Sequence, residues 1–192
     1  MRVSREKAAE TRDRIVAVAG ALFRAKGFGG IGVADIMKAA DLTHGGFYGH
    51  FGSKDELSVE ASRRTLAGSA ERWRSIVAGA GDKPYPALLE NYLSSRHRDD
   101  PAHGCALSAL GADAARGSPA LRGAFAEGLQ RLVDILTDAL PGFSKPARRR
   151  KAVAAMATLV GAVTLARAVD DPVLSEEILD AARQELRTAA YR

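Results

Sequence analysis

The sequence predicts an all-α fold of about nine helices, and three observations carry that expectation. Alanine, the best helix former, supplies close to one residue in five. No stretch sustains the period-2 alternation of β-branched residues that a half-buried strand needs. Apolar residues recur instead at helical spacing, beginning with Ile15, Val18, Ala19, Leu22 and Phe23, which form one stripe on a first helix.

The elements follow in order. Thr11 is placed to cap the first helix, and Gly27 stops it just after Lys26. Val33, Ile36 and Ala40 mark a short second helix, and residues 43–50 a third. Ser53 caps a long fourth helix running to Val77, with Asp55 and Glu56 favouring its dipole in the first turn. The breaker-rich segment GAGDKPYP, residues 79–86, interrupts the pattern. A fifth helix is expected over 87–98, ended by DDPAHG, and a sixth over 105–116. Ser118 and Pro119, a cap followed by proline at the first helical position, open a seventh that reaches Leu140. Pro141-Gly142 closes it, an eighth spans 146–169, and Asp171-Pro172 ends that one. Ser175, with Glu176 and Glu177 behind it, starts a ninth that runs to Tyr191. No repeat or low-complexity linker divides the chain.

Composition narrows the function classes. A chain of 192 residues can bury roughly 70% of its unfolded surface without a disulfide or metal staple. The single cysteine, Cys105, cannot form an internal disulfide, which excludes a disulfide-rich secreted scaffold. No apolar run approaches the ~20 residues of a membrane span, and the charged opening lacks the apolar core of a signal peptide. A cytoplasmic protein with no membrane association is expected. The net charge is +5, with a pI near 9.6. Residues 1–55 hold nine Lys/Arg against six acids, so a surplus of three sits in the first 55 residues. That bias suits a polyanionic partner, although a solvated surface would look the same.

Residues 33–57, VADIMKAADLTHGGFYGHFGSKDEL, carry the chemistry. Two short helices joined by a tight turn make a helix-turn-helix pattern, whose second helix must bring its first side chains to base edges. Gly45 and Gly46 permit close backbone approach there, and Thr43 offers a hydroxyl to phosphate. His44 can donate to a base or a phosphate, and Tyr48 and His50 to the DNA backbone. Phe47 and Phe51, at i and i+4, must face inward. Lys54 adds a phosphate partner at the start of the next helix, and Arg2, Arg5 and Lys7 are expected to form a mobile basic arm.

At these residues the chain resembles the TetR family of transcriptional regulators. Thr11-Arg12-x-x-Ile15, Leu22-Phe23-x-x-x-Gly27-Phe28, Val33-x-x-Ile36 and Ala39-Ala40-x-Leu42-Thr43-x-Gly45-x-Phe47-Tyr48-x-His50-Phe51-x-Ser53-Lys54-x-x-Leu57 follow its N-terminal signature over residues 8–60. The resemblance implies a helix-turn-helix unit, taken as residues 1–55, fused to a helical effector-binding and dimerisation unit, residues 56–192. It places DNA contacts at Arg5, Thr11, Val33, Thr43, His44, Gly45, Gly46, Tyr48, His50 and Lys54. It also implies a homodimer joined through the last two helices. By analogy, the ligand pocket falls near Trp73, Tyr92, Cys105, Leu110, Phe125 and Met156, with an apolar or amphipathic small molecule as effector. Gly49 departs from the family, which often has a polar or charged residue there. Three glycines in 45–49 weaken the recognition helix by roughly 1 kcal/mol each relative to alanine. That helix is expected to fray in the free protein and to order on DNA.

Small residues on the eighth helix (Ala154, Ala155, Ala157, Gly161, Ala162, Ala166, Ala168), together with Val153, Leu159 and Val160, would let it pack closely on a partner. The ninth adds a stripe of Ile178, Leu179, Ala182 and Leu186, so that two copies could build a four-helix interface. The function expected is a repressor that releases a palindromic operator when a small molecule binds. The alternatives are a regulator that senses electrophiles or oxidants through Cys105 and a regulator with no ligand. Other motifs carry less. Gly27-Phe28-Gly29-Gly30-Ile31-Gly32 fits G-x-G-x-x-G, but a helix precedes it where a dinucleotide site needs a strand. No G-x-S-x-G elbow accompanies His44-Gly45-Gly46, and no coherent nucleophile–base set points to an enzyme. His97, Asp99, Asp100, His103 and Cys105 match no structural zinc spacing, so neither metal nor cofactor is expected. The basic run Arg148–Lys151 reads best as a solvated face.

Overall fold

A computed structural model describes residues 5–190. Among them lie nine α-helices and two short 3-10 helices, with no strand. The α-helices are α1 (Arg5–Lys26), α2 (Val33–Ala39), α3 (Lys54–Gly79), α4 (Pro84–Tyr92), α5 (Ser95–Asp99), α6 (Ala106–Ala115), α7 (Pro119–Ala139), α8 (Lys145–Ala168) and α9 (Pro172–Ala189). The 3-10 helices are His44–Gly49, between α2 and α3, and Pro101–His103, between α5 and α6. The all-α expectation holds, and the boundaries show where local chemistry overrides the pattern.

Ser53 caps α3 by accepting from the Glu56 amide at 3.1 Å, and Ser118 caps α7 by accepting from Leu121 at 3.2 Å. Gly27 ends α1 at φ +76°. The turn between α2 and the 3-10 helix is closed by Leu42 N–H on Met37 O and Asp41 N–H on Lys38 O. This is the paired bonding of a Schellman ending, with Asp41 in the left-handed region at φ 55° where glycine is usual.

Five expectations are corrected. Thr11 does not cap α1: the helix begins at Arg5, and the Thr11 hydroxyl donates back to Lys7 O at 2.8 Å. Arg5 and Lys7 are therefore helical rather than part of a loose arm, and Arg2 lies outside the described residues. The fifth helix is two helices. Ser94 breaks it by donating to Asn91 O and accepting from His97 N–H, which starts α5 afresh. α4 itself begins earlier than expected, because Pro84 and Pro86 fall in a first turn where their missing N–H groups cost nothing. α9 starts at Pro172, since Asp171 accepts from Val173 and Leu174 and acts as its cap. The end expected for that helix, at Tyr191, lies outside the described residues.

One apolar core runs through the helices. α3 is its axis, flanked by α1 and α7. Both crossings are close: a Cβ on Gly128 of α7 would lie 2.5 Å from a Leu66 methyl, and one on Gly20 of α1 would lie 2.9 Å from Thr65 Oγ1. Leu110, Phe125 and Met156 are buried in this core. The ninth-helix stripe is turned inward as well, with Leu179 and Leu186 buried and Ile178 and Ala182 packed against the core. On α8, Ala155, Leu159, Ala162 and Ala166 are buried, so they are not free for a partner. Its outer face carries Val153, Ala154, Ala157 and Leu165, with Val153 51% and Leu165 58% exposed. By length and composition α8 could cross a bilayer, but it packs between α7 and α9. The basic run at its start is held internally: Arg149 pairs with Asp134 at 2.9 Å, and Lys151 donates to Ala189 O at 2.7 Å.

Candidate DNA-reading surface and effector cavity

The segment from Thr43 to Gly49 forms an exposed face. Phe47 and Phe51 turn inward and stack with ring centroids 5.6 Å apart. Their burial leaves Thr43, His44, Gly45, Gly46 and Tyr48 exposed, with Tyr48 69% accessible and its ring 6.3 Å from the His44 ring. Thr43 precedes the 3-10 helix, and its side chain makes no capping hydrogen bond. Val33 is half-buried at the start of α2, and Arg5 is exposed at the start of α1.

Three of the predicted contact residues are engaged within the protein, Thr11 through its bond to Lys7 O. Lys54 Nζ donates to Phe28 O at 2.5 Å, which ties α3 to the turn after α1. The carbonyl of His50 accepts from Arg12. Arg12 lies over the Phe51 ring at 4.1 Å and also holds Glu60. It clamps the end of the 3-10 helix onto α1 and α3. The sequence pattern contained Arg12 but gave no sign of this work, because its partners lie 38 to 48 residues away.

A cavity of about 290 Å³ opens at the far end of α3. Trp73, Tyr92 and Cys105 line it; Leu110, Phe125 and Met156 do not. The sequence reading missed the polar part of the wall, which includes Arg72, Asn91, Arg96 and His97. The wall is thus mixed rather than apolar. Trp73 and Tyr92 meet edge to face at 5.8 Å, and Tyr92 meets His97 at 4.5 Å.

His97 organises the wall. Its Nδ1 donates to Tyr92 O at 2.7 Å, and its Nε2 accepts the Cys105 amide at 2.9 Å. This fixes one neutral tautomer. Burial pushes the imidazole below its ordinary pKa, and Arg167 and Arg72 add to the effect. With both nitrogens occupied, His97 is poorly placed to hold a metal. No group of three His, Cys, Asp or Glu among the described residues could hold one. Gly104 is required by close packing: a Cβ there would lie 2.9 Å from His97 Cδ2. Burial holds the Tyr92 phenol well above its usual pKa, and its hydroxyl has no hydrogen bond of good geometry.

The cavity loop is tied to the reading surface's support. Arg24, near the end of α1, donates through Nε to Ala102 O at 2.7 Å and through Nη1 to Thr65 Oγ1 at 2.7 Å. Burial, with Arg72 beside it, pulls this guanidinium down to about 10. A second tie joins the Phe28 amide to Asp113 of α6 at 3.3 Å.

Comparison with known proteins matches both halves of the chain. Residues 15–61 match the bacterial regulatory proteins of the tetR family. Residues 86–185 match the C-terminal domain of LmrA/YxaF-like transcriptional regulators. The HTH-type transcriptional repressor NemR of Escherichia coli is 25% identical over 134 residues, 68% of this chain and 67% of that protein. The crystal structure of E. coli NemR in its reduced form has the same fold, with a TM-score of 0.77 at 22% identity over 93% of this chain and 96% of that one. A TetR transcriptional regulator from Chloroflexus aurantiacus is 27% identical, with a TM-score of 0.80 over 97% of both chains. The chain belongs to the TetR family and is a DNA-binding transcriptional regulator.

Proposed function

We propose that the protein is a cytoplasmic repressor that holds a palindromic operator as a homodimer and releases it when a small molecule fills the cavity beside Trp73. In this reading residues 1–55 read DNA, and residues 56–192 sense the effector and dimerise. Thr43, His44, Gly45, Gly46 and Tyr48 enter the major groove, while Arg5, Thr11, Val33, His50 and Lys54 lie around them. The observation that carries the reading is the cavity itself, whose loop is bonded through Arg24 to the helix that supports the reading surface. An effector that prefers one loop position must change operator affinity by the same factor by which operator changes its own.

The test starts from DNA fragments selected by the protein from a random pool. The selected sites should be inverted repeats, with half-sites about 34–36 Å apart. Affinity should fall steeply with salt, because phosphate contacts release counterions. Binding that is indifferent to sequence would overturn the reading.

A second reading uses the same cavity. Cys105 is buried at the N-terminus of α6, in the wall, with His97 on its amide. Its thiolate would add to the activated carbon–carbon double bond of an electrophilic effector, the carbon–sulfur bond forming as the π bond breaks and the adjacent carbon taking a proton from solvent. Under this reading a Cys105→Ser variant keeps operator binding and loses release by an electrophile; unchanged release would remove it.

A further inference from the structure

Guanidinium groups over much of the molecule hold carboxylates. Arg98 meets Asp99 and Glu176, Arg149 meets Asp134, and Arg183 meets Asp180. Around the cavity the pattern changes. Arg72 and Arg96 stand on its rim, and Arg24 and Arg167 stand behind its loop. None of these four forms an ion pair among the described residues. Arg24 and Arg167 are spent on backbone carbonyls and hydroxyls, Ala102 O and Thr65 for one, and Arg98 O, His97 O and Ser108 for the other. These bonds satisfy donors but leave the charge. Arg72 gives one N–H to Ser69 Oγ at 3.1 Å. The acid in the wall, Asp100, accepts from the amide and ring of His103 and keeps its charge, which acts on Arg24, Arg96 and Arg167 together. Four guanidinium groups against the one carboxylate in the wall leave the cavity a surplus of positive charge, walled on one side by the buried Trp73 and Tyr92 rings.

We propose that the cavity takes a small organic carboxylate, its apolar ring against Trp73 and Tyr92 and its carboxylate on Arg72 and Arg96. A carboxylate only accepts hydrogen bonds, so it suits a rim whose guanidinium groups only donate, and a guanidinium can hold it through two bonds at once. An inorganic anion would meet the rim but leave the aromatic wall unused. A neutral ring would cover the wall but leave the guanidinium groups unpaired. The proposal deepens the effector reading above and rests on it only for its regulatory consequence.

Trp73 is the one tryptophan of the chain, so its emission reports occupancy directly. The full-length protein is titrated with sodium benzoate, benzamide and inorganic phosphate at fixed ionic strength. Benzoate is expected to give a saturable change, with a dissociation constant at least tenfold below that of benzamide. In an Arg72→Gln/Arg96→Gln variant the benzoate constant should rise at least tenfold while that of benzamide holds. Both positions are exposed, and a melting curve checks the fold; Arg96→Gln alone, on the short α5, repeats the test with less disturbance. The proposal is overturned if Trp73 does not respond to benzoate, if benzamide or phosphate binds as tightly, or if the variants bind benzoate unchanged. Operator binding is read separately by anisotropy. Benzoate that binds without loosening the operator supports the carboxylate site and removes its effector role. A neutral compound that releases the operator while benzoate fails to bind does the reverse.

Discussion

His97 shows how much one side chain can hold. Its two ring nitrogens join the end of α4 to the start of α6, and the bond that Nε2 accepts from the Cys105 amide requires the neutral ring. Because the folded pKa is lowered from 6.5, the unfolded chain takes up the proton first as pH falls. The contribution of His97 to stability is fully present above about pH 6.5 and is lost as pH falls toward the lower folded value. Thermal melts between pH 7.5 and 5 should show this loss, and a His97→Gln variant should flatten the slope. At neutral pH that variant should cost about 1–3 kcal/mol, the penalty for leaving a buried partner unsatisfied. An equal slope in both proteins would contradict the argument. Little of this was legible in the sequence. Phe47 and Phe51 announce their burial by spacing alone, since their requirement is local. Arg12, Arg24 and His97 do their work on backbone atoms, in two cases dozens of residues away, and no spacing rule marks such partners. The same limit misplaced Leu110, Phe125 and Met156: large apolar residues on helices suit a core and a ligand wall equally well, and here they fill the core.

At the scale of elements, helix starts written in cap chemistry were legible, as at Ser53 and Ser118, while breaks made by side-chain competition, as at Ser94, were not. The recognition segment lies between these cases. Its glycines predict a weak helix, and the structure has a six-residue 3-10 helix instead of an α-helix. Short 3-10 helices have poorer hydrogen-bond geometry, so the amides of residues 43–50 should exchange quickly in the free protein. Operator DNA should slow that exchange markedly, and equal protection with and without DNA would refute the coupling of order to binding. Arg24 makes a second element-level prediction. It joins α1 to the cavity loop at Ala102 and to α3 at Thr65. An Arg24→Gln variant should still bind its effector, while the effector's influence on operator affinity, on the order of 5–150-fold for linkages of this kind, should fall several-fold. Anisotropy of labelled operator with and without effector measures it; an unchanged ratio would place the coupling elsewhere, along α3 or through the Phe28–Asp113 contact.

For the whole molecule, the decisive feature is an apolar face on α8 that the described residues leave open. The inner sides of α8 and α9 serve the protomer's own core, so Leu179 and Leu186 of the ninth-helix stripe are not free for a partner. The outer side of α8 remains, with Val153 and Leu165 exposed about three turns apart and Ala154, Ala157 and Gly161 between them. Val173 is 78% exposed at the start of α9. Small residues between large ones let two such helices approach closely and bury the large ones at the ends. Two copies joined here would bind an inverted repeat far more tightly than one copy binds a half-site, because the second contact becomes intramolecular. A Val153→Glu/Leu165→Glu variant places charge on that face without touching the core or the reading surface. Its mass by light scattering at micromolar concentration should be that of a monomer, while the parent protein should have the mass of a dimer. Its affinity for the full inverted repeat should fall at least a hundredfold, toward its affinity for an isolated half-site, while its melting curve as a monomer stays cooperative. A variant that remained dimeric would move the interface away from the outer face of α8, and one that became monomeric yet kept full affinity would show that a single reading surface suffices.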